Sequence, residues 1–300
     1  MIIPPKLKIG DTIGIVSTAR KISLDELTPA IDIIKSWGLQ IKLGANLFEE
    51  YHQFSGTIAQ RTSDLQTMID DDSINAILCA RGGYGTVQII DQINFTELKK
   101  NPKWIIGYSD ITILHSHLNN LDIASLHASM PINFSTNSSQ SLVSLKKSLF
   151  EFTSPIEIPS HPFNKLGVAE GEIIGGNLSI LYSLLGSKSD INTSGKILFI
   201  EDLDEYLYHI DRMIMSLKRN EKLNQLKGMI VGGMNDMNDN KIPFGKTAEQ
   251  IIFDYTKDYN FPICFNFPAG HLQDNRTIIL GAKSKLEITE RKVIFSNNFQ

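Results

Sequence analysis

The stretch Trp104-Ile105-Ile106-Gly107-Tyr108-Ser109-Asp110-Ile111-Thr112-Ile113-Leu114-His115 reads as strand, sharp turn and helix. An apolar run closes on Gly107, a serine follows within two residues, and a periodic apolar segment begins directly after it. A hydroxyl at such a bend projects from the end of a sheet. The backbone N–H groups that follow it sit at a helix start, where they can stabilise a developing oxyanion. Serine is also a common helix cap, and the hydrolase pattern G-x-S-x-G is incomplete because Ile111 holds the second glycine position. The segment therefore leaves Ser109 open between a cap and a nucleophile.

Outward from this bend the first half alternates strand-like and helix-like segments. Thr12 to Ser17 is a β-rich run, and Ser23-Leu24-Asp25-Glu26 is a capping box that opens an amphipathic helix to about Trp37. Strands are expected at Leu39 to Leu43, Ala76 to Ala80 and Ile123 to His127, and helices at Ala59 to Asp70, Thr86 to Ile93 and Leu142 to Phe150. This alternation implies a parallel sheet with helices on its faces. Between Thr153 and Val168 the pattern lapses, and Pro155, Pro159 and Pro162 favour an extended connection. The reading is an N-terminal α/β domain over 1–152, a linker over 153–168 and a C-terminal domain over 169–300. Strands are expected in the second half at Lys196 to Ile200, Met229 to Gly232 and Ile263 to Phe267. An alternating stretch follows from Thr277 to Phe295, with a turn at Lys283-Ser284-Lys285.

The 300 residues carry a formal net charge of −4, with 42% hydrophobic and 21% charged residues, as expected of a soluble globular protein. No basic cluster interleaved with aromatics appears, so nucleic acid is not an expected partner. No apolar run approaches the ~20 residues of a membrane helix, and the N-terminus lacks an export signal pattern. A cytoplasmic location is expected. Cys79 and Cys264 lie in strand-like runs and read as buried thiols.

Two further sites complete a constellation. Glu201-Asp202-Leu203-Asp204-Glu205 puts acids at the end of a hydrophobic strand, and Pro268-Ala269-Gly270-His271 puts a histidine just beyond another. Strand ends are where α/β folds assemble sites. With Ser109 they supply nucleophile, acid and base in the order Ser, Glu, His. Competing motifs fail on spacing. Phe244-Gly245-Lys246-Thr247 lacks the first P-loop glycine, because Asn240 stands there, and Arg81 to Thr86 has Gln88 where a dinucleotide fingerprint needs its third glycine. His115 and His117 are two apart and do not share a helix face, so neither a metal nor another cofactor is expected.

Taken together, Ala80-Arg81-Gly82-Gly83-Tyr84-Gly85, Gly107-Tyr108-Ser109-Asp110-Ile111-Thr112, Gly175-Gly176-Asn177-Leu178, Ile200-Glu201-Asp202 and Pro268-Ala269-Gly270-His271 resemble the L,D-carboxypeptidase family of serine peptidases. The resemblance runs essentially the whole length. It implies a Rossmann-like N-terminal domain with a mostly parallel sheet, a smaller β-rich C-terminal domain, and an active site between them. It also implies a triad of Ser109, Glu201 and His271, an oxyanion site at the backbone N–H groups of Gly83 and Asp110, and a homodimer. The implied activity is removal of a terminal D-amino acid, D-alanine, from murein tetrapeptide in cell-wall recycling. A second branch of the family, the microcin C immunity peptidases, cleaves a peptidyl-nucleotide and carries an added aromatic loop; here the tryptophans are Trp37 and Trp104, both in the N-terminal half. A catalytically silent murein-peptide-binding protein on the same fold is the third reading.

Overall fold

The computed structural model describes residues 1–152 and 155–298. In chain order the first half runs β1 (Thr12–Val16), α1 (Leu24–Ser36), β2 (Gln40–Leu43), α2 (Ile58–Asp70), β3 (Ile74–Cys79), α3 (Thr96–Lys100), β4 (Trp104–Gly107), α4 (Thr112–Asn120), β5 (Ser125–His127) and α5 (Ser139–Phe150). The second half continues β6 (Ile156–Pro159), β7 (Gly167–Asn177), α6 (Leu178–Ser183), β8 (Ile197–Leu203), α7 (Leu207–Arg219), β9 (Gly228–Asn235), α8 (Ala248–Thr256), β10 (Ile263–Cys264), β11 (Ile278–Leu280), β12 (Lys283–Ile288) and β13 (Lys292–Asn297).

Local chemistry sets the helix starts. The Ser23–Glu26 capping box forms, and Leu27, Ala30 and Ile34 place one buried face of α1 on the sheet. Matching boxes at Thr57/Gln60 and Thr247/Gln250 open α2 and α8. Each such cap is typically worth about 1 kcal/mol.

Six strands form the first sheet in the order β11-β5-β4-β3-β1-β2, parallel except for β11, which pairs antiparallel with β5. The order 2-1-3-4-5 within it is a doubly wound arrangement whose direction reverses between β1 and β3, and ligand crevices open at the carboxyl ends of strands beside such a reversal. The loops after β1, β3 and β4 meet there. The second sheet has seven strands in the order β10-β9-β8-β7-β12-β13-β6; β10 to β7 are parallel and the remaining pairings antiparallel.

The structure departs from the sequence reading in four places. The stretch 153–168, expected as a linker, contains strand β6 paired with β13, because Ile156 and Ile158 alternate inward despite the flanking prolines; Thr153 and Ser154 lie outside the described residues. The expected turn at 283–285 is the start of β12, and the chain reverses instead at Gly281 before it and around Glu290 after it. Thr86 to Ile93 forms two short 3-10 turns in place of an α-helix. Ile263 to Phe267 pairs over Ile263 and Cys264 alone. Cys79 and Cys264 are free, buried thiols, as read from the sequence. Among the described residues no helix is long and apolar enough to cross a membrane.

One glycine shows how tightly the second sheet is built against its neighbour strand. Gly175 in β7 has φ +126, and a Cβ there would stand 1.8 Å from the Phe199 carbonyl oxygen of β8. Backbone cannot yield as a side-chain tip can, so Gly175→Ala is expected to cost more than about 3 kcal/mol or to prevent folding. Thermal melting of the purified variant checks this; a melting temperature equal to the parent's would contradict it.

Candidate active site

Ser109 stands between β4 and α4 in a 3-10 turn over Ser109–Ile111. Tyr108 before it is extended, with φ −151, and Ser109 itself has φ 63. A non-glycine residue in the left-handed region costs on the order of 1–2 kcal/mol, and such strain concentrates at functional sites. The turn is capped by Tyr108 with no side-chain hydrogen bond, so Ser109 is not a cap. Its Oγ has no hydrogen-bond partner among the described residues. The β3 loop runs alongside it: a Cβ on Gly82 would lie 3.1 Å from Ser109 Oγ.

That loop is fastened from below by two buried charged residues. Arg61 of α2 donates to the carbonyls of Thr18 and Gly85 at 2.8 and 2.9 Å and to Gln88 Oε1 at 2.7 Å. Asp110 Oδ2 accepts the Thr86 N–H at 2.8 Å. Burial raises the Asp110 carboxyl above its ordinary value, against hydrogen bonds from Thr86 and the attraction of Arg61. The side chain of Asp110 thus points into the protein and fixes the glycine loop, while its backbone follows Ser109. Neither the Gly83 nor the Asp110 N–H has a backbone acceptor among the described residues.

Glu201 lies near the carboxyl end of β8 and is completely buried. Its Oε2 accepts from His271 Nδ1 at 2.7 Å and from the His271 backbone N–H at 3.3 Å. A carboxylate can only accept, which places the proton on Nδ1 and leaves Nε2 open as an acceptor. Gly270 permits this approach: it has φ +111, and a Cβ there would lie 2.7 Å from Glu201 Oε2. Burial opposes ionisation of Glu201, but the charge of His271 and the contacts from His127 and His271 outweigh it and lower the carboxyl to about 2. Burial also disfavours the His271 cation; the Glu201 charge, their hydrogen bond and the Asp202 charge together raise its pKa. The His271 ring packs against Tyr108, the neighbour of Ser109, with centroids 4.8 Å apart. The second half thus joins Glu201 to His271 and sets the His271 ring against Tyr108, the residue that precedes Ser109 in the first half.

The Gly175-Gly176-Asn177-Leu178 motif joins the two halves. The Asn177 N–H donates to Thr112 Oγ1, at the start of α4, at 3.0 Å. Its side-chain amide donates to Asp202 Oδ1 at 2.9 Å, and Ser179 N–H donates to Asp202 Oδ2 at 2.9 Å. Burial and the adjacent Glu201 charge push Asp202 up to about 7, although Leu203 and Asn177 donate to it. Asp202 therefore ties β8 to α6 on the side away from His271. Asp204 Oδ1 accepts from Asn238, and Glu205 pairs with His209, so neither faces His271.

Sequence reading missed Arg61, Tyr108 and His127. Arg61 has a legible signal, an arginine on the buried face of an amphipathic helix; Tyr108 and His127 have none beyond their places at strand ends. Of the motifs weighed and set aside, Thr247 caps α8, and His115 is buried, bonded to Ser125 Oγ and the Gly107 carbonyl. Burial, against the Gly107 hydrogen bond, lowers His115 to about 3, so it serves as a neutral fastener.

With the geometry in place, comparison with known proteins is decisive. Residues 13–128 match the LD-carboxypeptidase N-terminal domain and residues 170–286 the LD-carboxypeptidase C-terminal domain. The chain belongs to the LD-carboxypeptidase family. It is 36% identical over 299 residues to the probable murein peptide carboxypeptidase of Bacillus subtilis strain 168, covering 97% of this chain and 93% of that protein. It is 27% identical over 291 residues to the murein tetrapeptide carboxypeptidase of Pseudomonas aeruginosa, covering 93% and 94%. Among solved structures, muramoyltetrapeptide carboxypeptidase from Oxalobacter formigenes superposes with a TM-score of 0.87 at 21% identity, covering 96% of this chain and 100% of that one. MccF in complex with glutamyl sulfamoyl guanosine superposes with a TM-score of 0.88 at 20% identity, covering 99% and 98%. These LD-carboxypeptidase and MccF structures share the fold of this chain, and its family makes it a serine-type carboxypeptidase.

Proposed function

We propose that the chain removes the C-terminal D-alanine from murein tetrapeptide with Ser109 as nucleophile, His271 as base and Glu201 as the group that orients the base. The observation that carries this reading is the 2.7 Å Glu201–His271 hydrogen bond set against Tyr108, whose neighbour Ser109 is held in a strained turn at a sheet end. In this mechanism Ser109 Oγ attacks the carbonyl of the L-to-D peptide bond while His271 Nε2 takes its proton. Glu201 holds the imidazole with Nδ1–H toward itself and stabilises the imidazolium that forms. The Asp110 and Gly83 N–H groups receive the oxyanion, each worth about 3 kcal/mol in the transition state. His271 then protonates the departing D-amino acid, and water, deprotonated by the same histidine, releases the acyl-enzyme.

Synthetic tetrapeptides test this, with product masses read after incubation in the presence of a chelator. The expected result is loss of the terminal D-alanine, no loss from an L-alanine analogue, and full activity under chelation, because the triad activates its own nucleophile. An enzyme that cleaves a peptidyl-nucleotide and leaves the tetrapeptide intact would move the chain to the MccF-like branch. A chain that binds the tetrapeptide without cleaving it would be a binding protein. The reading also takes the enzyme to be a cytoplasmic homodimer acting on recycled wall fragments. A sedimentation mass twice that of the chain, together with recovery in the cytoplasmic fraction, is the expected outcome.

A further inference from the structure

His127 ends β5 and is wholly buried, yet neither of its ring nitrogens has a hydrogen-bond partner among the described residues. Its Nε2 stands 3.9 Å from Glu201 Oε1, the one carboxylate oxygen that His271 does not use, and Oε1 is equally without a partner among them. Two buried polar atoms, each lacking a partner, thus face one another. The gap is too short to hold a water between them and only about 1 Å longer than an N–H···O hydrogen bond. Aromatic rings surround it: the Phe199 ring meets it edge-on with centroids 4.8 Å apart, and Tyr108 and His115 lie at 5.8 and 6.4 Å. Strand β11 covers it, with Ile278 in register opposite.

We propose that His127 is a positioning residue for the triad, donating its Nε2–H to Glu201 Oε1 so that the carboxylate is gripped on one side by His127 and offers its other oxygen to His271. The inference rests on Glu201 being the group that orients His271. Any form of the ring that carries a proton on Nε2 supplies the donor. Two consequences follow. The grip fixes the carboxylate rotamer, and hence the direction of His271 Nε2 toward Ser109. It also withdraws some of the carboxylate's charge, so that Glu201 holds the His271 proton less tightly than an ungripped carboxylate would. The titratable groups facing the pair are His127 from β5, Tyr108 from the β4 end and, behind His127, His115 from α4, while Asp202, next in β8, is turned to the other side and acts on His271 through its charge. Among these His127 is the donor placed on Oε1.

The sign of a pH shift separates this role from mere packing. In His127→Phe, which keeps a ring and removes the donor, the acidic limb of kcat/KM is expected to move up by about one pH unit, the scale of one lost hydrogen bond to a carboxylate. A purely structural role would let Glu201 drift from His271 and move the limb down. His127→Gln, whose amide nitrogen reaches the position of Nε2, is expected to restore the parent profile; His127→Asn, which reaches only the position of Nδ1, is expected to behave as the phenylalanine variant. Should His127→Phe fail to fold, the Gln and Asn pair carries the test. A limb that is unmoved in all three, or that moves down, overturns the proposal. Glu201→Gln run in parallel keeps the two readings apart. If it retains full turnover, the orienting role of Glu201 has failed; if it is inactive while the His127 variants keep the parent profile, the grip alone has failed.

Discussion

Ser109→Ala is expected to lower kcat by a factor on the order of 10⁶ while the protein folds and melts as the parent does, because loss of the nucleophile removes the chemistry that the rest of the triad serves. The structure explains why stability is spared. Ser109 Oγ has no hydrogen-bond partner among the described residues, so no buried group is orphaned by its removal. Alanine also occupies the left-handed region at φ 63 at about the same cost as serine. Ser109→Gly extends the argument. Glycine relieves that strain, so this variant is expected to be equally inactive yet more stable by up to about 1 kcal/mol, the signature of a residue held strained for function. Single-turnover kinetics with tetrapeptide and thermal melting of both variants supply the measurements. Near-parental turnover in either would remove Ser109 from the nucleophile's place.

The sequence made the architecture legible where period and punctuation agreed. The capping box at Ser23 and the apolar strands ending at Cys79, Gly107 and His127 specify the parallel sheet, because each local signal has one compatible neighbour. Strand β6 was hidden by its prolines, since Pro155 and Pro159 flank the two isoleucines that pair inward at the sheet edge, where proline is tolerated. Ser109 was ambiguous because a serine at a strand-to-helix bend satisfies both capping and catalysis. What separates the two is φ 63 and an uncommitted hydroxyl, and neither is written in residue type. The meeting of Glu201 with His271 depends on Gly270 admitting the carboxylate, a contact between residues 70 positions apart that no spacing reveals. Arg61 is legible as an arginine on the buried face of an amphipathic helix, whereas His127 is not, because a buried polar side chain at a strand end is visible in sequence only when its partners are.

Glu201→Gln is expected to lower kcat by about 10⁴, the scale seen when the orienting carboxylate of another triad becomes an amide, with substrate affinity little altered. The amide can turn its nitrogen toward His271 Nδ1, which then has to accept, and the ring is left with its proton on Nε2, where the base needs a lone pair. The pH profile should move as well. In the parent the Glu201 charge and hydrogen bond raise His271 against the effect of burial, so kcat/KM rises with pH through a value above the ordinary 6.5. Without that charge burial dominates, and the acidic limb is expected to shift downward. The neighbouring acids provide the controls. Asp204→Asn and Glu205→Gln alter groups bound to Asn238 and His209 and should leave kcat close to the parent's. Asp202→Asn is different in kind. It sets an amide against the donors of Asn177, Ser179 and Leu203, so it should lower the melting temperature much more than it lowers turnover by the folded fraction. Measuring kcat and melting for all four variants decides the assignment: a fall in kcat at Asp204 or Glu205 greater than that at Glu201 would place the orienting carboxylate elsewhere, whereas loss confined to stability at Asp202 and to chemistry at Glu201 is what two adjacent carboxylates on opposite sides of one strand should give.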